Sequence, residues 1–436
     1  MPSYYLWTMG CQMNAADAAR TRQEMEQLGF CSVSRPTEAD LLVLITCVVR
    51  QSAEDKVVGR LTSLQGLKHR RPDAVIVVMG CFVNDEDALR ARFPYVDFFL
   101  RPSDVDGLLE IVRQRFTQAA LRPEPAHASS PPSAVTALIP ISEGCDHRCT
   151  YCIVRLRRGR QRSRPLADIL REAQQWVQRG AREITLLGQN VDAYGHDWGS
   201  AGPRLADVLS ALHKIDGLRR IRFLTSHPAD MSLDLVRAVA NLPKVCPHFE
   251  LPVQSGDDLI LRRMGRSYTV SEYRQLVSSI REIVGHCSII TDVIVGFPGE
   301  SEDQFEATYK LMDSLRFDAV HIAKYSPRLA TPAARLVDDV PTEEKERRRA
   351  RLEALQKRIA GEINAELLHQ TVEVLVEDLH RGRWRGRTRT NKLVFFEDAT
   401  DRERQLVDVQ ISQTGPWSLR GRLVGLKSGA APPARP

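Results

Sequence analysis

The sequence predicts an α/β protein with three folded segments: an amino-terminal doubly wound parallel sheet, a central partial β/α barrel of the TIM type, and a small antiparallel β-barrel at the carboxyl end. Three observations predict this class. Apolar strand-like runs alternate with amphipathic helical runs across residues 1–118, and the alternation recurs six times across 134–367. Residues 368–431 instead contain short strand-like runs joined by Gly-rich and polar turns. Apolar strands separated by helices indicate a covered parallel sheet, and short strands with turns indicate a barrel.

In the first segment, four apolar runs fit strands and the runs between them fit amphipathic helices. The predicted strands are Tyr4–Met9, Leu41–Thr46, Ala74–Met79 and Val96–Leu100, and the predicted helices are Ala15–Leu28, Gln51–Leu67, Asp85–Arg92 and Ser103–Phe116. Prolines then recur among alanine and serine, a composition that predicts a linker over residues 119–133.

The central segment, residues 134–367, contains six further strand candidates. They are Ala137–Ser142, Glu183–Leu187, Arg220–Thr225, His248–Val253, Ser288–Val295 and Asp318–Tyr325. The helix after the first of them repeats apolar residues at the helical period, with Leu166, Ile169 and Ala173 on one stripe. Six strand–helix units predict a β/α barrel whose active site lies at the carboxyl ends of the strands. The charged run from Thr342 to about Leu368 predicts a solvent-exposed connecting helix.

The third segment, residues 368–431, contains short strand candidates and is followed by a predicted disordered tail at 432–436. The strand candidates are Thr371–Glu377, Leu393–Glu397, Gln405–Ile411 and Leu419–Val424. Their length and the turns between them predict the small barrel.

Composition narrows the class of protein. Hydrophobic residues make up 43% and charged residues 27%, which is typical of a soluble globular protein, and the net charge is +6. The start of the chain shows no signal peptide, and its most apolar run, Leu41–Val49, is too short to span a bilayer. We therefore expect a cytoplasmic protein without a membrane partner. Nine cysteines in such a chain favour metal or catalytic thiols over a disulfide framework.

The strongest motif is a CxxxCxxC formed by Cys145, Cys149 and Cys152 just after a predicted strand. Zinc sites usually close with four protein ligands, whereas three thiolates around a cubane iron–sulfur cluster leave one iron open. An open iron is what cleavage of S-adenosylmethionine (SAM) requires, and Tyr151 would lie beside the adenine. The alternatives are a zinc loop that uses His147, or inert structural cysteines.

A second group, Cys11, Cys47 and Cys81, is spaced at about one βαβ unit, and each member directly follows a predicted parallel strand. The carboxyl ends of parallel strands share one edge of the sheet, so these thiols could converge on a second cluster. The alternative is three buried small hydrophobic residues. The remaining cysteines, Cys31, Cys246 and Cys287, are predicted to be structural.

Polar residues also follow the barrel strands. The candidates for binding the ribose and methionyl parts of SAM are Gln189, Asn190, Gln254, Ser255 and Glu300. Each could equally be ordinary loop chemistry. His227 and His248 are predicted to be structural histidines rather than catalytic ones.

Basic clusters suggest a polyanionic partner. Six arginines lie between Arg155 and Arg164, a run that could also be a solvated loop face. In the third segment the candidate RNA contacts are Arg383, Trp384, Arg385, Arg387 and Arg389. We expect the arginines to share one face of a strand and bind phosphates, and the indole to stack on a base. Alternatively, the indole belongs to the core and the arginines only solubilise a hairpin.

Together these motifs resemble the methylthiotransferases of the radical SAM superfamily. The resemblance rests on the CxxxCxxC with Tyr151 and on the three earlier cysteines in their Gly10–Asn14, Thr46-Cys47 and Gly80-Cys81 contexts. Further similar stretches are Leu187–Val191, Thr225–Pro228, Leu251–Gly256 and Val295–Glu300. One departure is Arg155, where the family usually has proline.

The resemblance implies an amino-terminal methylthiotransferase domain, a radical SAM domain and a carboxyl-terminal TRAM domain that grips RNA. It also implies two [4Fe–4S] clusters, two uses of SAM, and an electron donor such as flavodoxin or ferredoxin. One SAM methylates a sulfur associated with the amino-terminal cluster. The second is cleaved at the Cys145/Cys149/Cys152 cluster to a deoxyadenosyl radical that removes hydrogen from adenine carbon 2.

Members of the family act on isopentenyladenosine or threonylcarbamoyladenosine in tRNA, or on an aspartate of a ribosomal protein. Gly10–Asn14 and Gly386–Lys392 are similar to the enzymes of the first kind, which act in the tRNA anticodon loop. A different class, a zinc-stabilised RNA-binding protein without catalysis, would explain the CxxxCxxC but not the barrel units or the earlier cysteines.

Overall fold

The computed structural model describes residues 1–48, 51–116 and 134–426, which form two compact units. The first unit comprises residues 1–132 and 153–160, and the second comprises 133–152 and 161–436. The predicted linker at 119–133 and the predicted tail at 432–436 both lie outside the described residues. None of the helices within the described ranges is long and apolar enough to cross a membrane.

The first unit is built on a five-stranded parallel sheet. Its strands are β1 (Ser3–Thr8), β2 (Cys31–Ser32), β3 (Leu41–Thr46), β4 (Val75–Gly80) and β5 (Phe98–Leu100), in the order β2-β1-β3-β4-β5. Its helices are α1 (Gln12–Gln27), α2 (Gln51–Arg70), α3 (Glu86–Arg92), α4 (Val105–Arg115) and α5 (Val154–Arg158). The doubly wound prediction is confirmed, although the two-residue strand β2 was not predicted. The strand order reverses between β1 and β3, and ligands of such sheets bind at that switch point.

Both faces of this sheet are buried, as the apolar strands require. In β3, Leu42 and Leu44 join one core cluster, while Leu41, Val43 and Ile45 join the cluster on the other face. Alternate residues of a strand point to opposite faces, so a fully apolar strand needs helices on both sides.

In the second unit, six parallel strands follow one another in chain order. They are β6 (Thr136–Pro140), β9 (Glu183–Leu187), β10 (Arg220–Phe223), β11 (His248–Glu250), β12 (Ser288–Val295) and β13 (Ala319–Lys324). A parallel bridge between Ile221 and Val245 joins the first three strands to the last three. Between β6 and β9 in the chain, two short strands, β7 (Ser142–Glu143) and β8 (Arg162–Ser163), form an antiparallel pair. The predicted partial β/α barrel is confirmed.

The helices of this barrel pack around one core cluster. They are α6 (Leu166–Gln178), α7 (Leu205–His213), α8 (Leu233–Asn241), α9 (Asp258–Arg263), α10 (Val270–Val284), α11 (Glu302–Leu315) and α12 (Thr342–Ala365). The expectation that α12 is a solvent-exposed connector is wrong. Leu352, Leu355 and Ile359 recur at helical spacing and are buried in the barrel core, so only the other side of this charged helix faces water.

The third segment forms a closed five-stranded barrel. Its strands are β14 (Thr371–His380), β15 (Arg383–Thr388), β16 (Leu393–Phe396), β17 (Leu406–Thr414) and β18 (Leu419–Leu426), and the order around the barrel is β14-β15-β16-β18-β17. Four of the five pairings are antiparallel, but β16 and β18 pair in parallel because β17 returns to β14. The small predicted barrel is confirmed, with this one parallel contact as a refinement.

Candidate metal centres and nucleic-acid surface

The CxxxCxxC loop of the second unit is fixed at both ends. At its start, the Gly144 amide donates to Gln189 Oε1 (2.6 Å). Near its end, the Thr150 amide donates to the Met264 carbonyl (2.8 Å) and the Thr150 carbonyl accepts from the Ala333 amide (2.9 Å). The side chains of Cys145, Cys149 and Cys152 are half-buried thiols. The loop is thus held by the barrel, with three soft donors available to a metal cluster.

A buried cation faces this loop. Arg266 Nη1 donates to Cys149 Sγ (3.5 Å), while its other nitrogens donate to Tyr268 Oη and the Pro252 carbonyl (2.7 Å each). Burial raises the pKa of the Cys145 thiol, which a cation or a metal would oppose. The donor chemistry therefore fits a cluster held by three thiolates. Sequence reasoning missed Arg266, because no local pattern distinguishes it from a surface arginine.

Asn190, a predicted cofactor contact, lies in a buried polar cluster at the carboxyl ends of β9 and β10. Its Nδ2 donates to Asp230 Oδ2 (2.5 Å), which also lies 2.5 Å from His147 Nε2. The His147 and His227 rings stack at 3.6 Å. Because the stacked ring planes are nearly parallel, both rings cannot aim a nitrogen lone pair at one ion, and we assign no metal to this cluster.

The two histidines predicted to be structural differ from each other. His248 has partners at both ring nitrogens: Nδ1 lies 2.9 Å from Ser288 Oγ, and Nε2 lies 3.5 Å from Asn391 Nδ2. His227 accepts from the Ala229 amide at Nδ1 (3.2 Å), but its buried Nε2 has no partner among the described residues. Burial lowers the pKa of His227 to about 2, so the ring is neutral. A purely structural role therefore explains both ring nitrogens of His248, but it leaves Nε2 of His227 unexplained.

Three of the other predicted cofactor contacts already have side-chain partners within the chain. Gln189 serves Gly144, as described above. Ser255 Oγ lies 3.4 Å from Thr308 Oγ1, and Glu300 accepts from the Gly296 amide (2.6 Å) and from Arg348 (2.8 Å). Gln254 is buried with φ of +72°. Tyr151 packs against an apolar cluster that contains Phe297 and Tyr325. These residues shape the loops at the strand ends, and contact with SAM stays a prediction for all of them.

The second group of cysteines lies at the carboxyl edge of the first unit's sheet. Cys11 follows β1, Cys47 follows β3 and Cys81 follows β4, so the first two flank the switch point. A Cβ on Gly10 (φ +121°) would come 2.2 Å from Cys47 Cβ, so only glycine allows the two cysteine loops to approach this closely.

The thiol chemistry of this group also fits a metal cluster. A hydrogen bond from Cys47 is the main reason why the pKa of Cys11 falls to about 5, with Arg158 adding to the effect. Burial raises the pKa of Cys81, an effect that Arg158 opposes. A lowered thiol pKa favours the thiolate, which is the form that binds metal. The alternative of three inert buried hydrophobic residues does not explain an exposed Cys11.

The β-barrel corrects one predicted RNA contact. Trp384 is only 7% exposed, belongs to the barrel core and donates its indole N–H to the Asp398 carbonyl (3.1 Å). An indole enclosed in this way offers no face to a base, so the stacking expectation for Trp384 is wrong. Trp417, between β17 and β18, is 61% exposed and was missed, because exposure follows from the barrel rather than from the local sequence.

The arginines of this region divide into two kinds. Arg383, Arg385 and Arg387 alternate with buried residues along β15 and share its outer face, where they pair with Glu397, Asp378 and Glu377. Arg389 lies beyond the end of β15 and donates to the Val245 carbonyl (2.7 Å) of the β/α barrel. The carboxylate partners of Arg383 and Arg385 are about half exposed or more, so phosphates can replace them. Arg387 instead pairs with the partly buried Glu377, and Arg389 holds two parts of the second unit together.

Three known families match successive parts of the chain. Residues 3–101 match the family described as "Uncharacterized protein family UPF0004", residues 139–312 match the radical SAM superfamily, and residues 367–424 match the TRAM domain. Among solved structures, the radical SAM methyltransferase TsrM from Kitasatospora setae aligns with a TM-score of 0.55 at 14% identity, covering 77% of this chain and 75% of TsrM. This likeness establishes the fold alone.

Curated relatives are similar along nearly the whole chain. The tRNA-2-methylthio-N(6)-dimethylallyladenosine synthase of Roseiflexus sp. (strain RS-1) is 48% identical over 427 residues, which cover 96% of this chain and 89% of that protein. The protein of the same name from Dehalococcoides mccartyi (strain CBDB1) is 48% identical over 428 residues, covering 98% and 99%.

Proposed function

Because the chain belongs to the tRNA-2-methylthio-N(6)-dimethylallyladenosine synthase family, we propose that it transfers a methylthio group to carbon 2 of N6-isopentenyladenosine beside the anticodon of tRNA. The observation that carries the proposal is the near full-length identity to these relatives, which spans all three matched families. The chain is a radical SAM enzyme, and its cofactors include SAM and a [4Fe–4S] cluster.

Cys145, Cys149 and Cys152 would hold that cluster, which supplies a low-potential electron to SAM. Arg266 donates a hydrogen bond to Cys149 Sγ and places a fixed positive charge beside it. Gln189 holds the first turn of the loop through Gly144. The polar residues at the strand ends, namely Asn190, Gln254, Ser255 and Glu300 with the aromatic Tyr151, would orient SAM. An aromatic C–H is neither acidic enough for a side-chain base nor open to simple displacement, which is why a radical route is needed.

For the first unit, we propose that Cys11, Cys47 and Cys81 would hold a second [4Fe–4S] cluster, which would supply the sulfur of the methylthio group. Support comes from the shared sheet edge, the Gly10 approach and the lowered pKa of Cys11. The corresponding domains are residues 1–118, 134–367 and 368–431. We place the enzyme in the cytoplasm, with a flavodoxin or ferredoxin as electron donor.

For substrate binding, we propose that the β-barrel grips the anticodon loop. The outer arginines of β15 would contact phosphates, and the exposed Trp417 replaces Trp384 as the candidate stacking residue. A base that reacts within a barrel must be splayed out of its loop, as other base-modifying enzymes require.

Two measurements test the proposal. Mass spectrometry of tRNA nucleosides from cells with and without the gene should show the methylthio-isopentenyl nucleoside only when the gene is present. If the nucleoside that is lost is instead methylthio-threonylcarbamoyladenosine, or if no tRNA nucleoside changes, the proposed substrate is wrong.

The second measurement is the iron content of protein reconstituted without oxygen. It should be about eight irons per chain for the parent, and about four for each of two triple alanine variants, one per cysteine group. The Cys11/Cys47/Cys81 variant should still form deoxyadenosine from SAM but no methylthio product.

A further inference from the structure

Residues 153–160 directly follow Cys152, yet they fold as part of the first unit. Ile153 is buried in a core cluster of that unit together with Cys81 and Phe82. The helix α5 then carries Arg158, which is only 9% exposed. The arginine-rich run that begins at Arg155 therefore contains at least one internal charge, and Arg158 is unavailable to a polyanionic partner.

Arg158 is held by a polar network at the second cysteine group. Its Nη1 donates to Ser103 Oγ (3.0 Å), and its Nη2 lies 3.3 Å from Asn14 Oδ1. Ser103 donates in turn to Asp17 Oδ2 (3.0 Å). Asn14 donates to the Met9 and Thr46 carbonyls, at 2.6 and 3.0 Å, which fixes it between the β1 and β3 ends. The guanidinium is thus anchored by Asn14, three residues after Cys11 on α1, and by Ser103, which precedes α4.

The same guanidinium faces the sulfur atoms. It forms a hydrogen bond with Cys81. It also shares Asn14 Oδ1 with Cys11, whose Sγ lies 3.8 Å from that oxygen. Burying a cation is costly unless it is paired, and Asp17 is one of its partners. An oxidised cubane cluster on three thiolates carries a net negative charge, and an added electron or anionic sulfur ligand makes it more negative. Because Arg158, Cys47 and Cys81 are buried, water screens charges there only weakly, so the fixed cation stabilises the more negative states most strongly.

We propose that Arg158 is a positioning residue of the second cluster, where its fixed charge stabilises the reduced state and the anionic sulfur ligand at the open iron. This inference rests on the proposed function of Cys11, Cys47 and Cys81. Arg158 differs from a purely structural arginine in two respects. Its effect should depend on its charge, and it should act on the cluster more than on the stability of the fold.

The test uses the full chain with Cys145, Cys149 and Cys152 replaced by alanine, so that only the second cluster is present. Arg158→Gln removes the charge, and Arg158→Lys retains it. Arg113→Gln, which removes an exposed charge on α4 of the same unit, is the matched control. After anaerobic reconstitution, we measure iron content, the midpoint potential, and the affinity for sodium sulfide from changes in the cluster's electron paramagnetic resonance signal.

We expect Arg158→Gln to lower the equilibrium constant for reduction at least tenfold, equivalent to about 59 mV for one electron, and to weaken sulfide binding at least tenfold. Arg158→Lys should recover most of both losses, and Arg113→Gln should match the parent. Unchanged potential and sulfide affinity in an iron-loaded Arg158→Gln protein would overturn the proposal.

The outcomes based on iron content are also distinct. If the Lys variant loads iron and the Gln variant does not, charge is required, as proposed. If neither variant loads iron while the control does, the shape of the guanidinium matters rather than its charge, and the proposal is wrong. If the parent triple variant itself binds no iron, the second cluster fails first, and that result counts against the proposed function.

Discussion

Asp192 should make the second unit less stable as the pH rises through neutrality. Its carboxylate follows β9, is only 5% exposed, and accepts hydrogen bonds from Ser226 Oγ (2.9 Å) and the His227 amide (3.2 Å). Burial raises the pKa of Asp192 from 3.8 to about 8, and the nearby Asp230 adds to the shift. The informative perturbation is Asp192→Asn, which keeps the shape of the side chain and removes its titration.

The sign follows from proton binding. Between the unfolded pKa of 3.8 and the folded pKa of about 8, the folded state holds a proton that the unfolded state has released. The free energy of unfolding therefore falls as the pH rises, by about 1.4 kcal/mol per pH unit. From about pH 6 to about pH 7.5 the loss from this group is about 2 kcal/mol, or about 4–8 °C in Tm.

The assay is thermal unfolding of the second unit within the full chain at both pH values, followed by circular dichroism. Other titrating groups contribute equally to parent and variant, so the difference between their Tm changes isolates Asp192. Asp234→Asn on α8, where the side chain is 86% exposed, is the control and should behave like the parent. If Asp192→Asn loses as much Tm as the parent over this interval, Asp192 is not protonated in the folded protein and the reasoning fails.

Two further substitutions test the site and the RNA surface. Gly10→Ala places a Cβ 2.2 Å from Cys47 Cβ at a φ of +121°. The iron content should therefore fall by about four irons per chain. In the control Gly59→Ala, the new methyl group meets open space beside the helix, so this variant should keep all of its iron. Trp417→Ala should weaken tRNA binding by about 1–3 kcal/mol in a gel-shift or anisotropy assay while leaving Tm unchanged; equal affinity in parent and variant would remove Trp417 from the interface.

Much of the fold could be predicted because its patterns are local. The runs of β3 and β4 are apolar at every position, which only a covered parallel sheet allows, and the cysteine spacings placed the thiols at the strand ends. The charged helix α12 was misjudged because its few apolar residues are outnumbered by charges, although their spacing already marks one buried face.

The missed residues depend on tertiary structure. Arg158 and Arg266 read as ordinary charges in basic stretches, and only the fold shows that each is buried beside cysteine sulfur. Along β15, arginines alternate with other residues, and this alternation alone does not show which face of the strand points into the barrel. The closed barrel places Trp384 in its core and leaves Trp417 exposed. The sequence of the short turn between β17 and β18 does not by itself indicate that Trp417 is exposed.

The two cysteine groups depend on the fold in different ways. Cys145, Cys149 and Cys152 lie within eight residues, so one anchored loop presents all three. Cys11, Cys47 and Cys81 come from three strand ends, and their approach requires the register of β1, β3 and β4 as well as the close contact at Gly10.

The second group therefore exists only while the first unit's sheet is complete, since no local segment can assemble it. The buried Arg158 connects separate parts of this site. It contacts Asn14, close to Cys11 in the chain, as well as Ser103 and the Cys81 sulfur. Such a contact links the loop ends that the sheet alone would leave independent. The long separation of these thiols in sequence thus makes a shared counter-ion more important here than in the compact CxxxCxxC loop.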